Sequence, residues 1–192
     1  MNAFKAYDIR GIYDKDFNKD DVYKIGYFIP KLLKTDKILI GRDVRSTSDE
    51  IFDYLSRGIN DAGADAVSIG LATTPMVYYA TSKLKFDGSV QITASHNTKE
   101  YNGLKISKTN SLPVGSDSGL KDLESMFLTE MVVPVPADQR GVAKEIDIKP
   151  DYLAFLNKYI PQNNNLNLTI DCSNGMAVLL IKDLLGDTPH YL

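Results

Sequence analysis

Short apolar runs alternate with longer segments whose apolar residues recur at helical period, and this alternation constrains the fold more than any other feature. The runs are Ile38-Leu39-Ile40, Ala66 to Ile69, Gly88 to Thr93 and Leu104 to Ser107. Each is long enough for a strand and too short for a helix. Between them, Val22, Ile25, Phe28, Ile29, Leu32 and Leu33 keep to one face of a helix that Asn18 caps and that Pro30 is expected to kink. Thr47 with Glu50 reads as a capping box ahead of Ile51, Leu55, Ile59 and Ala62, and Gly63 ends that helix. Thr74 followed by Pro75 marks another helix start, and a further helix is expected from Gly119 to Leu128. Strands separated by helices imply an α/β domain with a mixed, mainly parallel sheet layered with helices.

Sheets of this kind place ligands at the carboxyl ends of their strands. Gly41-Arg42-Asp43 and Ala94-Ser95-His96 both fall at such ends, so the two loops are expected to share a site. Between Pro134 and Pro150 the sequence turns proline-rich, charged and weakly periodic, which reads as a linker or boundary. Residues 1–149 then form the first domain, and 150–192 begin a second α/β domain. That second part holds a helix from Asp151 to Ile160, a polar stretch from Gln162 to Asn165, a strand from Leu168 to Asp171 and a helix from Met176 to Leu185. A lone strand leaves both edges without partners. The second domain therefore reads as incomplete, the chain as a piece of a longer protein, and self-association through the open edge as a consequence.

Charge and composition exclude several roles. A formal net charge of −3 disfavours nucleic acid as a partner, because binding a phosphate backbone wants a basic face. No apolar stretch reaches the roughly 18 residues of a membrane span. The opening MNAFKAYDIRG has no apolar core of a signal peptide, and the single cysteine, Cys172, suits a reducing compartment. The expectation is a cytoplasmic protein.

The stretch TASHNTKEYNGLK, residues 93–105, sets a serine in a polar turn between two strands. A serine hydrolase would need a base near Ser95 and a third group to orient it. The histidines are His96 and His190, and adjacent side chains in extended backbone point apart, so His96 is a poor base for Ser95. Nor is there a G-x-S-x-G elbow, a Walker loop, an H-E-x-x-H pair or a dinucleotide-type glycine fingerprint. A phosphoryl carrier fits better. A phosphoserine carries about −1.5 to −2 charge and needs cations, which Lys105, Arg10, Arg42 and Arg45 supply if the loops converge. Lys105 is also suited to exchange a proton with a sugar hydroxyl.

KAYDIRG, GRDVRSTS, TASHNTKEYNGLK and LTIDCSNG, in that order, resemble the first half of the α-D-phosphohexomutases. Within that family, YNGLKI followed by LPVGSDSGLKDLE is most similar to the bacterial phosphomannomutases. The resemblance implies interconversion of hexose 6-phosphate and hexose 1-phosphate (mannose or glucose) through a phosphoserine at Ser95 and a 1,6-bisphosphate intermediate. It assigns Arg10 to steadying the phosphoserine and Lys105 to general acid–base work. His96 and Asn97 flank the carrier, Tyr101 and Asn102 shape the loop, and Arg42 and Arg45 are candidate phosphate contacts that are equally open to pairing with Asp43 and Asp49, as Arg10 is with Asp8 or Asp14. Two departures stand out. Thr98 and Lys99 follow Ser-His-Asn where the family usually has proline, and no Asp-Gly-Asp loop for Mg²⁺ occurs. In this chain Mg²⁺ would find little beyond phosphate oxygens on Ser95, so the chain alone is expected not to be a competent mutase. The alternatives are a non-catalytic module binding sugar phosphates or a partner and, more remotely, a serine esterase.

Overall fold

Two glycines face each other where the first two helices cross. A Cβ on Gly58 would sit 2.1 Å from the Tyr23 carbonyl oxygen, and one on Gly26 would sit 2.4 Å from that of Leu55. The helices α1 (Lys19–Leu33) and α2 (Ser48–Asp61) therefore meet backbone to backbone. This close pair buries Val22, Ile25, Phe28 and Ile29 of α1 with Ile51, Leu55 and Ile59 of α2 against one face of a sheet. The computed structural model describes residues 3–161, 167–187 and 189–192, and they divide into two compact units, Met1–Ile146 and Asp147–Leu192.

The sheet of the first unit runs in the order β1 (Ile9–Ile12), β5 (Tyr101–Lys108), β4 (Gly88–Ile92), β2 (Lys37–Arg42), β3 (Asp65–Leu71) and β7 (Ala143–Glu145), with β6 (Leu112–Pro113) beside β5. Strands β4, β2, β3 and β7 are parallel neighbours, whereas β5 is antiparallel to β4, β1 and β6. The sheet is thus mixed, with a parallel portion built by helical crossovers and an antiparallel flank. That flank exists because β4 and β5 form a hairpin whose connection needs no helix. Ile38 and Ile40 face α1 and α2, while Gly41 packs toward Val77 of α3 (Thr74–Lys83) on the other face. α4 (Leu120–Thr129) adds Leu120, Leu123 and Phe127 to the first layer.

Local signals met three different outcomes. Asn18 caps α1 as expected, and Asp21 closes a full box by accepting from the Asn18 amide. Thr47 makes no cap hydrogen bond to α2, because its hydroxyl accepts from Asn102 across the sheet edge. Thr73 rather than Thr74 caps α3, accepting from the Met76 amide, with Pro75 in the first turn. The segment read as a linker is docked to the first unit through Glu145. Val135 N–H donates to Asp61 O, Gly141 N–H donates to Asn60 O, and β7 pairs with β3. Backbone bonds and ion pairs of Arg140 with Asp61 and Lys144 with Asp65 hold the segment, and neither leaves an apolar periodicity in the sequence.

In the second unit, α5 (Lys149–Asn157) and α6 (Val178–Leu185) are joined by an ion pair between Lys149 and Asp183 at 2.8 Å. The strand β8 (Thr169–Ile170) does have a partner, contrary to the expectation of a lone strand: β9 (His190–Tyr191) lies parallel to it. The polar stretch Gln162 to Asn165 lies outside the described residues. Among the described residues no helix is long and apolar enough to cross a membrane.

The helix crossing makes a stability prediction. Gly58→Leu forces a side chain onto a carbonyl that belongs to helix backbone and cannot rotate away, so it is expected to cost at least about 3 kcal/mol. Urea unfolding followed by circular dichroism measures this; an unchanged midpoint contradicts the backbone-to-backbone packing.

Candidate functional site

Parallel pairing of β2 with β4 brings their carboxyl ends side by side, and the Asp43 amide donates to the Ile92 carbonyl at 3.0 Å. The loop after β2 and the loop from Thr93 to Glu100 therefore meet, as the strand-end argument expects. Ser95 lies at the outer turn of the second loop, exposed, with φ of +56°. A left-handed serine carries strain that only surrounding contacts can hold, of order 1–3 kcal/mol. Those contacts are present.

Arg45 supplies most of them. Its Nη1 donates to the carbonyls of Thr98 and Tyr101 at 2.7 and 2.9 Å, and its Nη2 to those of Ser95 and Asn97 at 2.9 and 2.7 Å. Its Nε donates to Asp43 Oδ2 at 3.2 Å. The pair is largely shielded, at 13% and 8% side-chain exposure, where a charge-assisted hydrogen bond is worth more than at the open surface. Asp43 Oδ1 in turn accepts from Ser48 Oγ and from the Arg45 amide. Beneath the loop, fully buried Asn102 donates to Thr47 Oγ1 and Ser48 Oγ and accepts from the Gly103 amide. The left-handed turn also aligns neighbours that extended backbone would separate: Ser95 Oγ lies 3.1 Å from His96 Nδ1. His96 is therefore in reach of the serine, contrary to the sequence argument. No carboxylate among the described residues pairs with it, so the third member of a triad is missing.

Ser95 and His96 open onto a cavity of about 330 Å³ that is also lined by Lys5, Ala6, Tyr7, Asp8, Arg10 and Lys105. Arg10 comes from β1 and Lys105 from β5, which are paired antiparallel with Arg10 opposite Gly103. Gly103 permits that approach, since a Cβ there would lie 2.2 Å from the Ile9 carbonyl oxygen. Buried Asp8 holds both cations on one oxygen: its Oδ2 is 3.6 Å from Arg10 Nε and 3.6 Å from Lys105 Nζ. Its Oδ1 is buried without a hydrogen-bond partner. Arg10 Nη1 also donates to Asn97 Oδ1 at 2.8 Å, tying the cation to the loop. Three cationic side chains thus share the wall with one carboxylate, a surplus suited to a dianion on Ser95.

The candidate residues divide into three groups. Ser95, His96, Arg10 and Lys105 come together at the cavity, with Asn97 bonded to Arg10. Asn102 and Tyr101 lie under the loop, and Tyr101 contributes its carbonyl to Arg45. Arg42 and Arg45 take the carboxylate pairing that is their other reading. Arg42 turns its Nε to Asp49 at 2.6 Å and stacks over the Phe52 ring, away from the cavity lining. The Arg45 guanidinium is spent on carbonyls and Asp43, which leaves none of its nitrogens for a phosphate. Sequence reasoning missed Asp8, Lys5 and Tyr7 at the cavity and Asp43, Thr47 and Ser48 beneath it. The first three sit in the same KAYDIRG motif as Arg10, which was the available signal.

Mg²⁺ wants near-octahedral oxygen ligands. Among the described residues no group of three or more His, Cys, Asp or Glu side chains converges. The carboxylate at the cavity already faces two cations, so the side chains present do not fit a metal cage.

The family model for the phosphoglucomutase/phosphomannomutase alpha/beta/alpha domain I matches residues 1–131. A phosphomannomutase from Escherichia coli is 37% identical over 187 residues, which is 96% of this chain and 41% of that protein. A phosphomannomutase sequence from Klebsiella pneumoniae is 40% identical over 153 residues, 80% of this chain and 98% of its own length. A crystal structure of a phosphoglucomutase/phosphomannomutase family protein from Burkholderia thailandensis superposes with a TM-score of 0.86 at 27% identity, covering 100% of this chain and 43% of that one. The chain thus spans about two fifths of the E. coli relative's length.

The buried amide of Asn102 predicts a specific sensitivity. Asn102→Ala strips hydrogen bonds from Thr47, Ser48 and the Gly103 amide, and leaving such groups unpaired costs about 2 kcal/mol. Urea unfolding checks the cost, and hydrogen exchange at residues 96–101 is expected to quicken. Unchanged exchange there would show that Asn102 does not support the loop.

Proposed function

Since this chain belongs to the phosphoglucomutase/phosphomannomutase family, we propose that it carries the phosphoserine portion of an enzyme that moves a phosphoryl group between the 1- and 6-hydroxyls of a hexose. The observation that supports this most is an exposed, left-handed Ser95 opening on the same cavity as Arg10 and Lys105. In the proposed cycle, phosphorylated Ser95 gives its phosphoryl group to the free hydroxyl of a hexose phosphate. Lys105 takes the proton of that hydroxyl as the new P–O bond forms and passes a proton to the Ser95 oxygen as its P–O bond breaks. The 1,6-bisphosphate then turns over, the Ser95 hydroxyl attacks its other phosphoryl group and gives its proton to Lys105, and Lys105 protonates the departing sugar oxygen. Arg10, held by Asp8 and Asn97, offsets the charge on the phosphoryl oxygens. Catalysis of this kind rests on positioning and charge stabilisation.

A mannose or glucose phosphate as substrate and a cytoplasmic location belong to the same proposal. So does a Mg²⁺ ion, to which this chain would offer phosphate oxygens on Ser95 while acidic ligands come from elsewhere. Sugar recognition is likewise assigned to residues other than these, so the 192-residue chain by itself is proposed to be inactive. A non-catalytic sugar-phosphate-binding module is the second reading, favoured by the absence of a metal cage among the described residues.

Two measurements separate these readings. Intact mass of the full-length protein is expected to show one phosphoryl group that disappears in Ser95→Ala; a mass that never shows one removes the carrier role. In the same protein, Lys105→Met is expected to lower kcat by about 10²- to 10⁴-fold, the usual contribution of a general acid–base. An unchanged kcat would assign Lys105 to binding alone. Efficient conversion of mannose 1-phosphate by the 192-residue chain with Mg²⁺ would contradict its proposed inactivity.

A further inference from the structure

Arg45 collects the carbonyls of Ser95, Asn97, Thr98 and Tyr101 on one side of the loop. In a trans peptide the carbonyl and the following N–H point in opposite directions. Drawing the Ser95, Asn97 and Thr98 carbonyls inward therefore turns the amides of His96, Thr98 and Lys99 outward. Hydrogen-bond accounting agrees. Among the described residues the Ser95 amide donates to Thr93 Oγ1, that of Asn97 to Ala94 O and that of Tyr101 to Thr98 O, whereas those of His96, Thr98 and Lys99 have no protein acceptor. Free amides gathered on one turn, Thr98 and Lys99 adjacent and His96 two residues earlier, make an anion-binding nest.

Resting on the phosphoserine reading above, we infer that Arg45 is a positioning residue that never touches the phosphoryl group but turns the Ser95 loop into an amide cradle for it. The ligand class is a phosphate dianion, whether esterified to Ser95 or free. The charge of Arg45 contributes from beneath, through the loop, while Arg10 and Lys105 act across the cavity. Lysine in its place would keep the charge and lose the fork, because one ammonium cannot serve four carbonyls and Asp43 together.

Inorganic phosphate, titrated into the ¹⁵N-labelled 192-residue chain and followed by amide chemical shifts, tests this. In the wild-type chain the amides of His96, Thr98 and Lys99 are expected to move along one saturating curve, and those of Asn97 and Tyr101 much less. Arg45→Lys is expected to raise the Kd for phosphate about tenfold or more while the Tm and the β2–β3 amide shifts stay close to wild type. Equal affinity in Arg45→Lys, or wild-type shifts confined to Arg10 and Lys105, overturns the proposal. If Arg45→Lys does not fold, Asp43→Asn removes a single anchor of the fork and is expected to weaken phosphate binding about threefold; wild-type affinity there is equally fatal. Ser95→Ala is expected to retain the amide response. A full-length protein that is never phosphorylated, with the three amides still responding, would therefore defeat the carrier reading and leave the cradle standing.

Discussion

A buried guanidinium gathering four carbonyls is the interaction on which the rest of the site depends. Without Arg45 the loop from Thr93 to Glu100 has polar side chains, a strained serine and no core of its own. With it, carbonyls that would face solvent are bound to one planar fork, and that fork is fixed by Asp43 at the end of β2. A buried ion pair is not automatically stabilising, since desolvation offsets much of the attraction. What it supplies here is geometry. Removing either partner would leave the other charge buried and uncompensated, at a cost of about 3–5 kcal/mol.

The fold makes this possible through two close approaches. Glycines at 26 and 58 let α1 and α2 sit tightly on one face of the sheet, and Gly103 lets β1 come within hydrogen-bonding distance of β5. The second approach carries Arg10 and Asp8 to the cavity, opposite the serine. Asp8 then serves two cations with one oxygen, and Arg10 is tied to the loop as well, through Asn97. A cavity wall that is cationic yet internally tethered can accept a dianion without first rearranging.

Much of this was legible in the residues. Helical period placed α1, α2 and α4 within a residue or two, and the apolar runs placed β2, β3 and β4, because buried faces leave a periodic mark. The chemistry that a carrier would need singled out Ser95, Lys105 and Arg10, and these three line one cavity. Failures came where a residue's partner lies far along the chain. Thr47 looked like a cap until Asn102, 55 positions away, claimed its hydroxyl. For Arg42 and Arg45 the residues left phosphate and a nearby carboxylate equally open, because sequence shows charge and not direction. β7 left no signal, since its three residues are exposed and dock by backbone pairing and one ion pair, Lys144 to Asp65. The His96 argument failed for a local reason: it assumed extended backbone, and Ser95 is left-handed.

The central claim is that the loop is shaped before any phosphoryl group arrives. Backbone ¹⁵N relaxation of the unphosphorylated chain, free of phosphate, measures this directly at residues 95–101. Order parameters near about 0.85, matching those of the flanking strands, are expected for a loop held by Arg45. Values below about 0.6 would mean that the loop is mobile on the ps–ns timescale until ligand binds, and would contradict a preformed carrier site.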